Sequence, residues 1–335
     1  MSKSTIKEIA KLAGVSPSAV SIVLNNKPGV SEETRKKVAE IVEKLQYTPN
    51  PSSRRLLFNR TGNIAVLFAK EASPLEHFFY AELNQVILHE CEARNYNLVF
   101  ASFTAKNGRV IFPSVIKAYD ADGVIFYGDM DPLVLNEVKK FEMPFILVDN
   151  HLVTGDVFCV YTDYQEAAYL AACHLIQSGH SRIAYLGSNS PPAFGAQTFA
   201  GFKKAMEGYK LFLPLNWVET EANDEASAYR LMDKVLAQVD KPTAVFCAAD
   251  IYAISAMKCI KAHSLRVPED ISVIGIDDIM LAGYVEPALT TVRINKAEMG
   301  KIAVDLLTKR IDKTPVTNAA VPVGDIIVRD SVRGI

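Results

Sequence analysis

Two aspartates stand where open α/β sheets do their ligand chemistry. Asp149 closes the apolar run FILVD and Asp277 closes SVIGID, and ligands of such sheets bind outside the carboxyl ends of the strands. A carboxylate there can accept paired hydrogen bonds from vicinal hydroxyls, with Phe79 stacking on the apolar face of a sugar ring. The other reading is that each Asp caps the turn after its strand; both readings stand on the residues alone. A second group lies near the start of the chain. Pro17, Ser18, Ser21, Ile22 and Asn25 share the outward face of a short helix, the geometry by which a recognition helix enters the major groove of DNA. A plain three-helix capping domain is the alternative, and the charge pattern below favours DNA.

Other chemistries lack their parts. The chain has no P-loop, no G-x-S-x-G and no H-E-x-x-H, and GIDDIMLAG lacks the strand–turn–helix context of a dinucleotide fingerprint. Its six histidines are dispersed, and His180, in the turn SGHSRI before a strand, reads as a structural hydrogen-bonding residue. Five scattered cysteines, Cys91, Cys159, Cys173, Cys247 and Cys259, form no C-x-x-C pair or zinc-type spacing. We therefore expect no catalytic residues, metal or cofactor, and reduced, buried thiols.

The elements that must position these residues follow from composition and periodicity. At 335 residues, 49% hydrophobic and 22% charged, the chain suits a small domain beside a larger two-lobed one. No apolar run reaches the length of a membrane span and no secretory leader is visible, so a cytoplasmic protein is expected. The net charge of −2 is unevenly spread: residues 1–60 hold eleven basic residues against five acids, a net +6, leaving −8 for the remainder. A basic head on an acidic body suits a polyanion-binding module joined to something that does not bind nucleic acid. Within the head, Thr5 and Glu8 form a capping-box pattern opening a first helix over roughly 5–12, which Gly14 ends. Ser16 caps a second helix with Pro17 at its first position and Val20, Val23 and Leu24 on its apolar face. A third helix follows Ser31, with Val38, Ile41, Val42 and Leu45 along one stripe.

The run TIKEIAKLAGVSPSAVSIVLNN, followed by GVSEETRKKV and LQYTPN, resembles the DNA-binding headpiece of the LacI/GalR family of bacterial repressors, nearly continuously from Thr5 to Asn50. By that resemblance Ser16, Ser21, Asn25 and Tyr47 position the DNA backbone, Pro17, Ser18 and Ile22 occupy the base-reading positions, and Thr5 joins the DNA-binding set. Ile22 stands where an arginine is common; it can pack on a thymine methyl but cannot make a bidentate contact to guanine, which implies an atypical operator. Residues 50–60, NPSSRRLLFNR, read as a short helix capped by Asn50 that orders only when held, or as a passive linker. The resemblance makes it a hinge helix that folds on the minor groove, with Leu56 as the wedge between base steps and Arg54 and Arg55 at nearby phosphates.

From Asn63 onward short apolar runs alternate with amphipathic helical stretches, which implies right-handed βαβ units and parallel sheets covered on both faces. The runs DYQEAAYLAACHLIQSGHSRIAYLG, AGFKKAM, KPTAVFCAAD, VPEDISVIGIDD and PALTTVRIN follow the order of the repressor core, so the resemblance covers essentially the whole chain. It implies an N-terminal all-α helix-turn-helix headpiece (1–48), a hinge (49–61) and an α/β periplasmic-binding-protein-like core of two doubly wound lobes (62–335). Lobe 1 is expected at about 62–161 and 293–318, lobe 2 at about 162–292 and 319–335, with an effector in the cleft between them. The resemblance adds Thr198, where an arginine is common before A-G-F, and Asn223, where an aromatic often closes the other lobe, to Phe79, Asp149 and Asp277 as the expected effector residues, and Ala249 precedes Asp250. An anionic effector is disfavoured without that arginine. The expected partners are a palindromic double-stranded DNA operator, a second copy in a homodimer, and a small effector, with a sugar favoured over a purine or a protein co-regulator. A sugar-binding protein without a DNA role shares the core architecture but has no use for a basic headpiece.

Overall fold

The computed structural model describes residues 5–24, 28–45, 60–71, 73–152 and 157–335. The chain forms two compact units, Met1–Thr61 and Gly62–Ile335. In the first, α1 (Ile6–Ala13), α2 (Pro17–Leu24) and α3 (Glu32–Lys44) enclose a core of Ile9, Ala10, Ala13, Val20 and Val38. Local chemistry sets each boundary. The Thr5–Glu8 capping box is fully formed, Gly14 ends α1 at φ 68°, the Ser16 hydroxyl accepts from the Ala19 N–H at 3.1 Å and Ser31 accepts from Thr34 N–H at 3.2 Å. Residues 50–59 of the expected hinge helix, with Arg54, Arg55 and Leu56, lie outside the described residues, as do Asn25 and Tyr47.

The second unit contains two sheets. The first-lobe sheet has the order β12-β6-β5-β4-β1-β2-β3, built from β1 (Asn63–Ala69), β2 (Asn97–Lys106), β3 (Arg109–Ile111), β4 (Gly123–Tyr127), β5 (Phe145–Val148), β6 (Cys159–Thr162) and β12 (Ala319–Val321). The second-lobe sheet, β13-β11-β10-β9-β7-β8, uses β7 (Ile183–Leu186), β8 (Val218–Glu219), β9 (Ala244–Cys247), β10 (Ser272–Asp277), β11 (Thr290–Ile294) and β13 (Val323–Ile327). Pairing is parallel except at β2–β3 and β11–β13. Helices α4 (Phe78–Ala93), the one-turn α5 (Ser114–Lys117), α6 (Pro132–Lys139) and α11 (Lys296–Ile311) belong to the first lobe; α7 (Tyr164–Gln177), α8 (Pro192–Gly208), α9 (Glu225–Leu236) and α10 (Asp250–Ala262) belong to the second. Fully apolar strands such as β5 and β7, buried on both faces, account for the unbroken hydrophobic runs in the sequence.

The chain crosses between lobes three times, after β6, after β11 and between β12 and β13. Ala319–Val321 is the edge strand of the first lobe, paired with β6, whereas the sequence reading places residue 319 onward in the second. The strand–helix alternation also breaks once. Asn107 and Gly108 adopt φ 53° and 70°, and this two-residue turn folds β3 back on β2 as a hairpin. Asn-Gly is the favoured pair for a turn needing two positive φ angles.

Candidate functional site

In the headpiece the outward face of α2 is where the sequence places it. Ser16, Pro17 and Ser18 are exposed, Ser21 and Ile22 are half-buried, and Val20 turns inward to full burial. The Ser16 side chain holds the helix start and stands at the positive end of its dipole, where backbone N–H groups favour a phosphate. The Thr5 hydroxyl is committed to its own capping box, so it shapes α1 first.

In the core, Asp149 and Asp277 lie at the carboxyl edges of the two sheets, and both take positive φ, 60° and 124°. Side chains enter that region chiefly where their surroundings overdetermine it. For Asp277 the restraint is Lys296, whose buried ammonium donates to the carbonyls of Asp277 at 2.6 Å and Asp278 at 3.1 Å. The Asp278 carboxylate is clamped by Arg293 at 2.8 Å and Arg329 at 2.5 Å. For Asp149 the restraint is a pair of hydroxyls: Tyr80 donates at 2.9 Å to one oxygen and Tyr164 at 2.7 Å to the other. His151 Nε2 lies 3.9 Å from Asp149, and its Nδ1 lies 3.4 Å from Asp129.

Charge in this region is held under burial. Burial pushes the Asp277 carboxyl well above the usual range, and the charge of Asp250 adds to it. Asp250, fully buried, is pushed up by burial to about 7 although it accepts the Thr291 hydroxyl at 2.6 Å and the Ile279 N–H at 2.9 Å. Two buried carboxyls that repel each other resist joint ionisation. Burial opposes charge on His151, but Asp129 and Asp149 outweigh it and raise the imidazole's affinity for a proton.

These groups surround a cleft between the lobes. A cavity of about 310 Å³ has Ser73, His77 and Phe79 on one side and Asn223, Tyr252 and Asp277 on the other. A smaller one of about 100 Å³ adjoins it, reaching Tyr80, Asp149, His151, Tyr164 and Phe194. Phe79 and Asp277 border both. Besides the Tyr164–Asp149 bond and those of Lys296 to the Asp277 and Asp278 carbonyls, which already span the lobes, Met280 N–H donates to Glu82 at 2.6 Å and the Gln197 amide donates to the His151 carbonyl at 2.9 Å. A larger groove of about 780 Å³, between Met257, Leu265 and Pro287, lies on the second lobe alone and holds no strand-end carboxylate.

Of the five expected effector residues, Phe79, Asp149, Asn223 and Asp277 converge on the cleft. Thr198 does not face it. Its side chain is fully buried, its hydroxyl bonded to Tyr185 Oη at 2.9 Å and the Phe194 carbonyl at 3.0 Å; a short side chain on the sheet-facing side of α8 cannot reach the ligand space. Asn223 accepts from the Ser188 hydroxyl at 2.8 Å at the cleft mouth. Sequence reasoning missed Tyr80, Tyr164, His151, Asp250 and Lys296. The strand-end rule that selected Asp149 and Asp277 also applies to Asp250, one residue beyond the end of TAVFCAA; Lys296 carries no comparable signal.

Known proteins agree with this geometry. Residues 5–50 match the bacterial regulatory proteins of the lacI family, and residues 172–332 match the periplasmic binding protein-like domain. The HTH-type transcriptional repressor PurR of Aliivibrio salmonicida is 33% identical over 310 residues, 92% of each chain. The ribose operon repressor of Haemophilus influenzae is 32% identical over 316 residues, 94% of this chain and 93% of its own. In fold, the chain superposes on the lac repressor dimer bound to operator and the anti-inducer ONPF with a TM-score of 0.82 at 24% identity, over 99% of this chain and 100% of that one. The resemblance drawn from the headpiece and core motifs is therefore borne out: the chain belongs to the lacI family of bacterial regulatory proteins and is a DNA-binding transcriptional repressor with a small-molecule effector cleft in its core.

Proposed function

We propose that the repressor acts as a homodimer on a palindromic operator and that its effector is a neutral, polyhydroxylated molecule of the sugar class. One observation carries the effector reading: strand-end carboxylates face an aromatic floor at Phe79, and no lysine or arginine stands among the described residues lining either cavity. Carboxylates accept hydrogen bonds from vicinal hydroxyls and repel phosphates and carboxylates. The similarity to a ribose operon repressor points the same way. A DNA target places the protein in the cytoplasm.

On the DNA side, Pro17, Ser18 and Ile22 read base edges while Thr5, Ser16, Ser21, Asn25 and Tyr47 hold the backbone. Arg54 and Arg55 reach phosphates beside a Leu56 wedge in the minor groove. Effector binding changes the angle between lobes and thereby the spacing at which paired hinges fold, a coupling of about 1–3 kcal/mol in known systems.

The deciding experiment is a thermal-shift screen of the full chain against sugars, sugar phosphates and nucleobases, since a ligand of the folded state raises the melting temperature. A sugar hit that alters operator affinity supports the reading. A sugar phosphate or nucleobase hit replaces it, and a blank panel turns it toward a protein co-regulator. Leu56→Ala tests the wedge separately: effector binding is kept and most operator affinity is lost, while unchanged operator affinity rules the wedge out.

A further inference from the structure

Away from the cleft, Asp233, Cys259 and His263 form a cluster of metal-ligand type. Cys259 and His263 stand four residues apart at the end of α10, and therefore on one face, while Asp233 lies in the last turn of the neighbouring α9. One ligand atom from each lies within 4.8 Å of the other two, and His263 Nε2 is 2.7 Å from the Asp233 carboxylate. The Cys259 sulfur is buried beneath the pair, whereas Asp233 and His263 are open to solvent.

We propose that these three side chains bind one divalent ion of the zinc class. A tetrahedral ion with bonds of about 2.0–2.3 Å to nitrogen, oxygen and sulfur holds its ligand atoms roughly 3.3–3.8 Å apart, so seating it requires the His–Asp pair to open slightly and the sulfur to approach. Both outer ligands are exposed and free to make that adjustment. Thiolate, imidazole and carboxylate together select zinc or cobalt over magnesium or calcium, which take oxygen ligands. One further feature favours a cation here: His263 caps the C-terminus of α10, the negative end of its dipole.

Binding transfers the Cys259 thiol proton to solvent and leaves a fourth position for water, as in sites that exchange their metal. The opposite ends of the same two helices carry Asp224, Glu225, Ile251 and Tyr252 to the cleft. The ion thus ties together two helices that also form one wall of the effector site.

The test uses the full chain, stripped with a chelator and titrated with Co²⁺. One equivalent per chain is expected to give a sulfur-to-cobalt charge-transfer band with the visible absorption of a tetrahedral ion, and Zn²⁺ is expected to bleach both. Cys259→Ser abolishes the charge-transfer band. His263→Gln and Asp233→Asn, exposed substitutions that leave the fold intact, weaken affinity at least about 10–100-fold, the loss seen when even a supporting residue of a metal site is removed. Zn²⁺ raises the melting temperature of the parent chain and not of the His263→Gln variant. The proposal is overturned if no thiolate band forms, or if the band survives Cys259→Ser or is indifferent to both surface variants.

Discussion

The headpiece and the cleft present polar groups in opposite ways. The headpiece holds Ser16, Pro17 and Ser18 in solvent on a helix packed, among the described residues, on buried Ile9, Ala10, Ala13, Val20 and Val38 and held by local caps. The cleft withdraws its polar groups from water: Asp250 is fully buried, Asp149 and Asp277 are 5% and 7% exposed, and Lys296 is 6% exposed. The first arrangement puts almost no electrostatic strain into its functional surface but rests it on a small core. The second embeds strain in a large core that can bear it. Function and stability should therefore rise and fall together in the headpiece and separate in the cleft.

Ile9→Ala tests the first half most severely. Truncating a buried aliphatic side chain costs about 2–5 kcal/mol, which matches the whole stability expected of a domain of some 40 residues at roughly 0.05–0.15 kcal/mol per residue. Operator affinity is expected to fall at least about 100-fold in gel-shift titrations, the melting transition of the core staying in place by calorimetry. A core transition displaced along with DNA binding breaks the comparison at its root.

The pH dependence of core stability tests the second half. Asp250 has a folded value of about 7, raised by burial, against about 3.9 in an unfolded chain. A raised carboxyl contributes stability that is full below about 4 and lost as pH rises through about 7. Asp277 and His151 are also raised and act in the same direction. Asp278 and Asp129 oppose them: against the cost of burial, Arg329 and Arg293 hold the first low and His151 the second. Burial also lowers His77, His174 and His180. These contributions are lost as pH falls, and the decline measured is what Asp250, Asp277 and His151 leave over them. Denaturant titrations of the core should therefore show stability declining between about pH 4 and 7, a slope that Asp250→Asn flattens. A parent slope of the opposite sign refutes the account.

Asp277→Asn then separates the two properties in one residue. Losing a carboxyl oxygen that a bound hydroxyl donates to leaves that donor unsatisfied and weakens the effector found in the screen by about 1–3 kcal/mol, roughly 5–150-fold, but it also removes repulsion with Asp250. The melting temperature at pH 7 is expected to hold or rise as effector affinity, read by calorimetry, collapses. A falling melting temperature with affinity intact makes Asp277 a capping residue, the reading its position after SVIGI left open.

The same contrast explains what could be read from the residues. Headpiece boundaries follow rules that act over three or four residues: Thr5 with Glu8, Pro17 after Ser16, Thr34 after Ser31. Each is visible in one line of sequence. The strand-end carboxylates of the cleft were visible too, because a strand's carboxyl end is a local feature. Their partners were not: Tyr80 and Tyr164 reach Asp149 from 69 and 15 residues away, and Lys296 pins Asp277 from 19. The contact of Tyr80 comes from the packing of the first lobe and those of Tyr164 and Lys296 from crossings between lobes, and no local rule encodes either. Thr198 was misread for a related reason, since its rank in the AGF motif says nothing of which way the helix turns it. The Asn107–Gly108 hairpin was legible by turn chemistry and was passed over because the alternation of strands and helices around it was so regular.

The smallest effect sharpens the comparison further, because it applies one perturbation to both regions. Ser31→Ala removes the cap of α3 and Asp131→Ala removes that of α6, where the carboxylate accepts from Leu133 N–H at 2.7 Å. Each costs about 1 kcal/mol. In the headpiece that is a sizeable share of the total stability, so Ser31→Ala should populate the unfolded headpiece and weaken operator binding a few-fold at elevated temperature. Ser31→Asp, which caps as well and adds a favourable charge at the helix start, should restore it. In the core the same loss is a minor part of the whole, and Asp131→Ala should leave effector affinity unchanged and move the melting temperature by only a few degrees. Equal functional losses from the two substitutions mean that the headpiece is sturdier than the small core of its described residues implies.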